Sequence, residues 1–272
     1  MEDVLVAVNE YVVKLNQEGG KLEFLFSTER EPRKPNPFRL SSSGKCTRRL
    51  AFEKLFPDEK EDVSTRAYNV FLLGDVLHEL DRYLIGQVTE LHSMEKEVKF
   101  FVDDEVGYVT GHTDGIVELV DGPIVLDVKT AATASFTRMA QEGPPPDYVA
   151  QLNAYMDALG IHRAALWVYD KNVSQRMVLP IEYDPSVVQA VRERFRMVWE
   201  ATPDNLPPRE YEPQAEMRRK KPTGREYLPW QCSYCPFVTR CWSSLGFERV
   251  VEDGKVRYIR NLANDEVLAE IL

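Results

Sequence analysis

The chain switches twice between helical and alternating hydrophobic periodicity. Residues 2–17 place Val4, Leu5, Val8, Tyr11, Val12 and Leu15 at helical spacing, which predicts an amphipathic helix. Residues 27–45, rich in Pro, Ser and Arg, predict an exposed connection. A short helix should start near Cys46, with Leu50, Phe52 and Leu55 inward. A long one covers 65–85, with Phe71, Leu72, Leu77, Leu80 and Leu84 on its apolar side. Alternation then takes over, and 95–102, 107–120 and 123–130 predict three strands in a meander. Asp121-Gly122 is a two-residue hairpin signal between the last two, and such a turn makes them antiparallel. Beyond the Gly143-Pro144-Pro145-Pro146 breaker, a helix over 147–160 should end at Gly160. Strands over 163–170 and 175–182 follow, then a helix over 185–200 with Val188, Val191, Phe195 and Val198 inward. Residues 201–230 predict an irregular basic arm, and 247–272 a small hairpin with a short helix.

This order predicts an α/β fold, a mixed sheet flanked by helices. It suggests three regions: an N-terminal helical region over 1–64, a core over 65–200 and a cysteine-bearing region over 201–272. At 272 residues the chain can bury a substantial core, and 43% hydrophobic with 29% charged residues is ordinary for a globular protein. Apolar runs are too short to span a bilayer, and Glu2 and Asp3 directly after Met1 argue against a signal peptide. The expectation is a cytoplasmic protein without membrane partners. In that reducing compartment, Cys46 and the C-x2-C-x5-C group Cys232, Cys235 and Cys241 point to metal ligation rather than disulfides. Four thiolates suit tetrahedral Zn²⁺ or an iron–sulfur cluster, and spacing alone does not choose.

A net charge of −10 excludes indiscriminate coating of nucleic acid but not a nuclease, whose carboxylates must hold cations. Basic clusters persist at Arg30/Arg33/Lys34, Arg48/Arg49, Arg192/Arg194/Arg196 and Arg218–Lys221. Each alone reads first as a solvated face.

With Asp121-Gly122 as the turn, Ile116 falls opposite Asp127 and Asp114 opposite Lys129, so Asp114, Asp127 and Lys129 project to one face. Two carboxylates at a cross-strand diagonal of about 7–8 Å can share one hard cation, Mg²⁺ or Mn²⁺, beside an ammonium. Pro123 is the weak point, because it has no N–H to close the turn. The plainer reading is a cross-strand Asp–Lys ion pair on a wet face, worth little. Gly74 and His78 lie on the 65–85 helix, where the glycine would permit close approach and the imidazole is a candidate ligand or a core histidine. Gln151 and Tyr155, four apart, share a face of the next helix. His112 and Glu97 are weaker candidates.

Taken together these residues resemble the RecB-like branch of the PD-(D/E)XK nuclease superfamily. That branch carries, in order, a G-x-x-x-H helix, a G-x-x-D strand, a D-x-K strand and a Q-x-x-x-Y helix, here Gly74/His78, Gly111/Asp114, Asp127/Lys129 and Gln151/Tyr155. One cysteine ahead of the core and three behind it are similar to the iron–sulfur members, including the AddB nuclease domain, CRISPR-adaptation nucleases of the RecB type and phage relatives. The resemblance covers roughly 46–241 and implies a restriction-endonuclease-like core. It implies a [4Fe–4S] cluster on Cys46, Cys232, Cys235 and Cys241, clasping the N- and C-terminal regions. It also implies a catalytic metal held by His78, Asp114, Asp127 and the Val128 carbonyl, Lys129 assisting the attacking water, and Gln151 and Tyr155 supporting the site and DNA placement. The second acidic position is Asp127 where many members carry Glu. The implied activity is a DNA exonuclease preferring single strands or ends. The alternatives are a non-catalytic DNA-binding scaffold and a zinc-stabilised RNA nuclease. Tyr227, Trp230, Tyr234, Phe237 and Trp242 offer base stacking or packing around the cysteines.

Overall fold

A computed structural model describes residues 1–18, 36–62, 64–252 and 255–262. In chain order the elements begin α1 (Glu2–Gln17), α2 (Thr47–Leu55), α3 (Thr65–Val88), β1 (Glu90–His92), β2 (Glu97–Asp103), β3 (Gly107–His112), β4 (Gly115–Leu119) and β5 (Gly122–Ala131). They continue α4 (Thr133–Glu142), α5 (Pro146–Leu159), β6 (Arg163–Asp170), β7 (Gln175–Glu182), α6 (Pro185–Glu200), β8 (Gln214–Arg218) and β9 (Lys221–Tyr227). Last come α7 (Trp230–Ser233), α8 (Val238–Trp242), β10 (Glu248–Glu252) and β11 (Lys255–Asn261). The terminal helix expected in 247–272 and residues 27–35 of the expected connection lie outside the described residues. The described remainder of that connection is not all exposed, because Leu40, Ser42 and Ser43 are buried. Within those residues, no helix is long and apolar enough to cross a membrane.

The chain divides into two compact units, Met1–Lys45 with Ser64–Glu200, and Cys46–Val63 with Ala201–Leu272. The first is built on a five-stranded sheet of order β1-β4-β5-β6-β7, in which only β5 and β6 are parallel. A parallel neighbour cannot be reached by a tight turn, and α4 and α5 fill the crossover. Alternation along β5 sorts its side chains: Ile124, Leu126 and Val128 join Trp167 against α1 and α3, while Val125 joins Leu166 and Val168 against α5 and α6. Pro146 opens α5, and Gly160 closes it in the left-handed conformation (φ 66°).

Three further expectations change in this unit. The meander is broken: β2 and β3 form their own two-stranded sheet, and the short β1 takes the place beside β4. Val98, Phe100, Val102 and Val109 explain it, since that hairpin buries its apolar face among the α5 and α6 side chains. Phe71 and Leu72 are exposed, with Tyr68, Val70 and Leu73, so only the later turns of α3 supply core side chains such as Leu84 and Ile85. The β4–β5 turn moves back one residue, pairing Leu119 with Gly122 and Ile116 with Val125. Closing a turn at Asp121-Gly122 would need an N–H on Pro123, whereas Gly122 supplies one to the turn adopted. Arg163 braces it, reaching the Asp121 carboxylate and the Asp121 and Gly122 carbonyls (2.8 and 3.1 Å).

The second unit carries a four-stranded antiparallel sheet, β10-β11-β9-β8. The stretch expected to be an irregular arm therefore contains the β8–β9 hairpin. Its core gathers Phe52 of α2 with Leu228, Phe237, Val238, Trp242, Phe247 and Tyr258. Thr47 ties the α2 segment to the later chain by donating its N–H and hydroxyl to Glu210 (2.6 and 2.5 Å).

Candidate active site

The displaced turn shifts partners by two residues, which preserves faces. One step beyond Gly115↔Leu126, the register sets Asp114 opposite Asp127. Lys129 follows two positions along the same face of β5. Asp114 sits in the bend between β3 and β4, where its Oδ2 accepts the Val128 N–H at 2.7 Å. His78 Nε2 reaches the same oxygen at 3.0 Å from α3. Lys129 Nζ lies 2.7 Å from the Asp127 carboxylate and 4.0 Å from Asp114 Oδ2. It straddles the Asp127 oxygens but is aligned to donate to Oδ1, which also accepts from Gln151 Nε2 at 3.1 Å. The buried Oδ2 accepts no hydrogen bond among the described residues.

α5 completes the site. Tyr155, buried, donates its hydroxyl to the His112 carbonyl at 2.9 Å, fixing the end of β3 from which Asp114 hangs. Gly111 makes room for it: a Cβ there would meet Tyr155 Oη and Leu40 Cβ, each at 2.7 Å. Gly74 is different, because a Cβ would meet only Thr130 Oγ1 at 3.6 Å, an ordinary contact. The close approach expected at Gly74 is thus found at Gly111.

Burial dominates the electrostatics. It pushes the Asp127 carboxyl up to about 6, helped by the neighbouring Asp114 charge and opposed by Lys129. Burial also raises Asp114, but Lys129, His78 and the Val128 N–H outweigh it and hold that carboxyl below its usual value. Against burial, the two carboxylates hold the Lys129 ammonium well above the ordinary lysine range. Burial, then the Asp127 and Asp114 charges, raise the Tyr155 phenol, so it remains a donor.

Sequence reasoning missed two supports. Tyr148 lies under Lys129, with Nζ 5.6 Å from the ring centroid. It is three residues before Gln151, a helical neighbour legible from spacing. Arg82 binds Glu79 (2.7 and 2.8 Å) and Glu95 (2.6 Å) beside His78, a web no short motif announces.

In kind, an imidazole and two carboxylates, one with a buried oxygen approached by the Lys129 ammonium at 2.7 Å but accepting no aligned hydrogen bond among the described residues, fit a hard divalent cation. Among the described residues, however, no three His, Cys, Asp or Glu side chains are grouped so as to hold a metal ion. His78 is engaged with Asp114, and Lys129 with Asp127. Cys46, Cys232, Cys235 and Cys241 all belong to the second unit. Cys232 and Cys241 are buried in that unit's core with Cys235 packed against it, and burial, then charge at Cys46, Cys235 and Cys241, pushes the Cys232 thiol up to about 12. Burial likewise lifts Cys235 to about 11, opposed in part by Arg49.

A family model described as the PD-(D/E)XK nuclease superfamily matches residues 33–242, well over half of the chain. A comparison with curated proteins finds no match. Among solved structures, the chain is similar to an alkaline exonuclease (LHK-Exo) from Laribacter hongkongensis, with 16% identity, 56% of this chain, 75% of that one and a TM-score of 0.41. It is similar to SSO0001 over 89% of this chain and 95% of that one, with 16% identity and a TM-score of 0.47. A phage-related exonuclease from Haemophilus somnus 129PT shares 18% identity over 56% of this chain and 77% of its own, with a TM-score of 0.40. Likenesses at this level say nothing of activity.

Proposed function

The chain belongs to the PD-(D/E)XK nuclease superfamily, and from that premise we propose a metal-dependent deoxyribonuclease that acts as an exonuclease on single-stranded DNA or DNA ends. The observation that carries this reading is the meeting of Asp114, Asp127 and Lys129 at one buried point, with Lys129 2.7 Å from one carboxylate and 4.0 Å from the other. His78, Asp114, Asp127 and the Val128 carbonyl would hold Mg²⁺ or Mn²⁺. When bound, such an ion supplies a polarised phosphate oxygen and a water of lowered pKa.

The protein's own groups divide the remaining work. Lys129 sits between two carboxylates that raise its pKa, and it would orient a water or stabilise charge on the phosphoryl group. Gln151 and Tyr155 are positioning residues: the first fixes the Asp127 carboxylate, the second the chain end that carries Asp114. The test is a comparison of linear and circular single-stranded DNA, blunt duplex and RNA with Mn²⁺ or with a chelator. Linear DNA should be degraded only with the ion. Degradation confined to RNA, or equal with chelator, would overturn the reading.

The four cysteines are read as ligands of a structural [4Fe–4S] cluster, as in the RecB-like iron–sulfur branch. What supports it is their common unit, their mutual influence and their spacing. Such a group would hold the 46–63 segment to the region beyond 201, coupling occupancy to folding of that unit. Anaerobically purified protein should be brown with iron and sulfide in cluster proportion, and Cys232→Ser colourless. Stoichiometric zinc in place of iron would replace the cluster by a zinc site.

A further inference from the structure

The β8–β9 hairpin breaks two local rules at once, and both breaks concentrate positive charge. Its turn places Arg219 (φ 51°) and Lys220 (φ 65°) in the left-handed region, where a two-residue hairpin turn calls for Asn or Gly. Directly beside that turn, Arg218 is paired across the strands with Lys221, and like charges set opposite each other destabilise a sheet. Four consecutive cations thus crowd one exposed tip of a protein whose net charge is −10. No ion pair to Arg218, Arg219, Lys220 or Lys221 exists among the described residues.

The cations further along the same sheet behave otherwise. Arg225 pairs with Glu252 at 2.6 Å and with Glu216 at 3.6 Å, and Arg260 pairs with Glu226 at 2.6 Å. The base of the hairpin is therefore neutralised and pinned, and the tip is not. A register shift between Ala215 and Met217, with Gly224 at φ 79°, separates the tip from the paired base. β8 is also an edge strand, and edges are commonly guarded by a lysine. One inward charge would suffice for that, without a strained turn or opposed like charges. Rule-breaking that favours one chemistry marks a functional element.

We propose that the tip of this hairpin is a nucleic-acid backbone contact, in which Arg218, Arg219, Lys220 and Lys221 meet phosphates of a DNA strand. The inference rests on the DNA reading given under Proposed function and adds a second, non-catalytic contact to it. It requires no base recognition, because unpaired flexible cations read charge and not sequence.

The test is the salt dependence of binding to a fluorescent single-stranded oligonucleotide, measured in chelator so that hydrolysis plays no part. Each strand phosphate neutralised contributes about −0.7 to the slope of log K against log salt, so four contacts contribute about −3. A variant with Arg218, Arg219, Lys220 and Lys221 all changed to Gln should lose most of that slope, and Arg218→Lys with Arg219→Lys should keep it. A second variant separates binding from folding. Arg219→Asn with Lys220→Gly gives the turn its preferred residues, so it should raise the unfolding temperature while shrinking the slope by about half of the tip's share, about 1.4. Unchanged slope in the Gln variant, or no binding by the wild type at low salt, overturns the proposal. Either result leaves hydrolysis to be decided by its own assay. A Gln variant that aggregates while the Asn–Gly variant binds like wild type would instead assign the charges to edge protection.

Discussion

Gly111→Ala tests the architecture of the site without touching its charges. A Cβ at this position would stand 2.7 Å from both Leu40 Cβ and Tyr155 Oη, and 3.2 Å from Tyr155 Cε1. Leu40 is fully buried and Tyr155 nearly so, so neither has open space to move into. Overpacking of this kind costs about 2 kcal/mol. Displacing the Tyr155 hydroxyl from the His112 carbonyl costs about 1 kcal/mol more. A total of about 3 kcal/mol should lower the melting temperature by about 6–12 °C for a unit of this size. Calorimetry of Gly111→Ala, Tyr155→Phe and the double variant forms a mutant cycle. Removing Oη takes away one of the two obstructions, so the double variant should be less destabilised than the sum by about 1 kcal/mol. A Gly111→Ala protein that melts within 1 °C of wild type would refute the packing argument. It would leave the glycine of the G-x-x-D stretch without a physical reason.

Other consequences follow from the buried charges. Asp81, almost fully buried, accepts from Trp167 Nε1 (2.8 Å) and Arg176 Nε (2.9 Å). Arg176→Ala should cost about 3 kcal/mol by leaving that carboxylate with one donor, and a melting temperature unchanged in the variant would contradict it. Asp127 titrates near 6 in the folded chain against about 3.9 unfolded, so folding favours its protonated form. Its stabilising contribution is then complete below about pH 4 and lost as pH rises through 6, by on the order of 3 kcal/mol. In chelator, Asp127→Asn should flatten the fall in melting temperature between pH 4 and 7. Parallel pH profiles for the two proteins would show that Asp127 does not set that slope.

Much of the site was legible because strand alternation does not depend on the absolute register. The expected turn was displaced by one residue, yet Asp114, Asp127 and Lys129 share a face, since partners slipped by two. Pro123 held the reason for the displacement. The Gln151–Tyr155 spacing puts two side chains on one helical face, and they reach Asp127 and the His112 carbonyl. What periodicity cannot supply is the choice of partner. Residues 97–103 alternate as well as any sheet strand, and only packing against α5 and α6 decides that they pair with β3 alone. Phe71 and Leu72 have core-like chemistry on a helix whose first turns bury none of it. The β8–β9 hairpin was hidden for the opposite reason. Residues 217–224 are exposed on both faces, so no alternation marks it, and its turn lacks the Asn or Gly that signals one.

Hydrolysis of a linear single-stranded oligonucleotide with Mn²⁺, by wild type, Asp114→Ala and Lys129→Ala, bears most directly on the catalytic claim. Wild type should cleave, and each variant should lose at least about 100-fold in rate while still binding the oligonucleotide. Equal rates in all three proteins would contradict it, and would remove Asp114 and Lys129 from the chemistry.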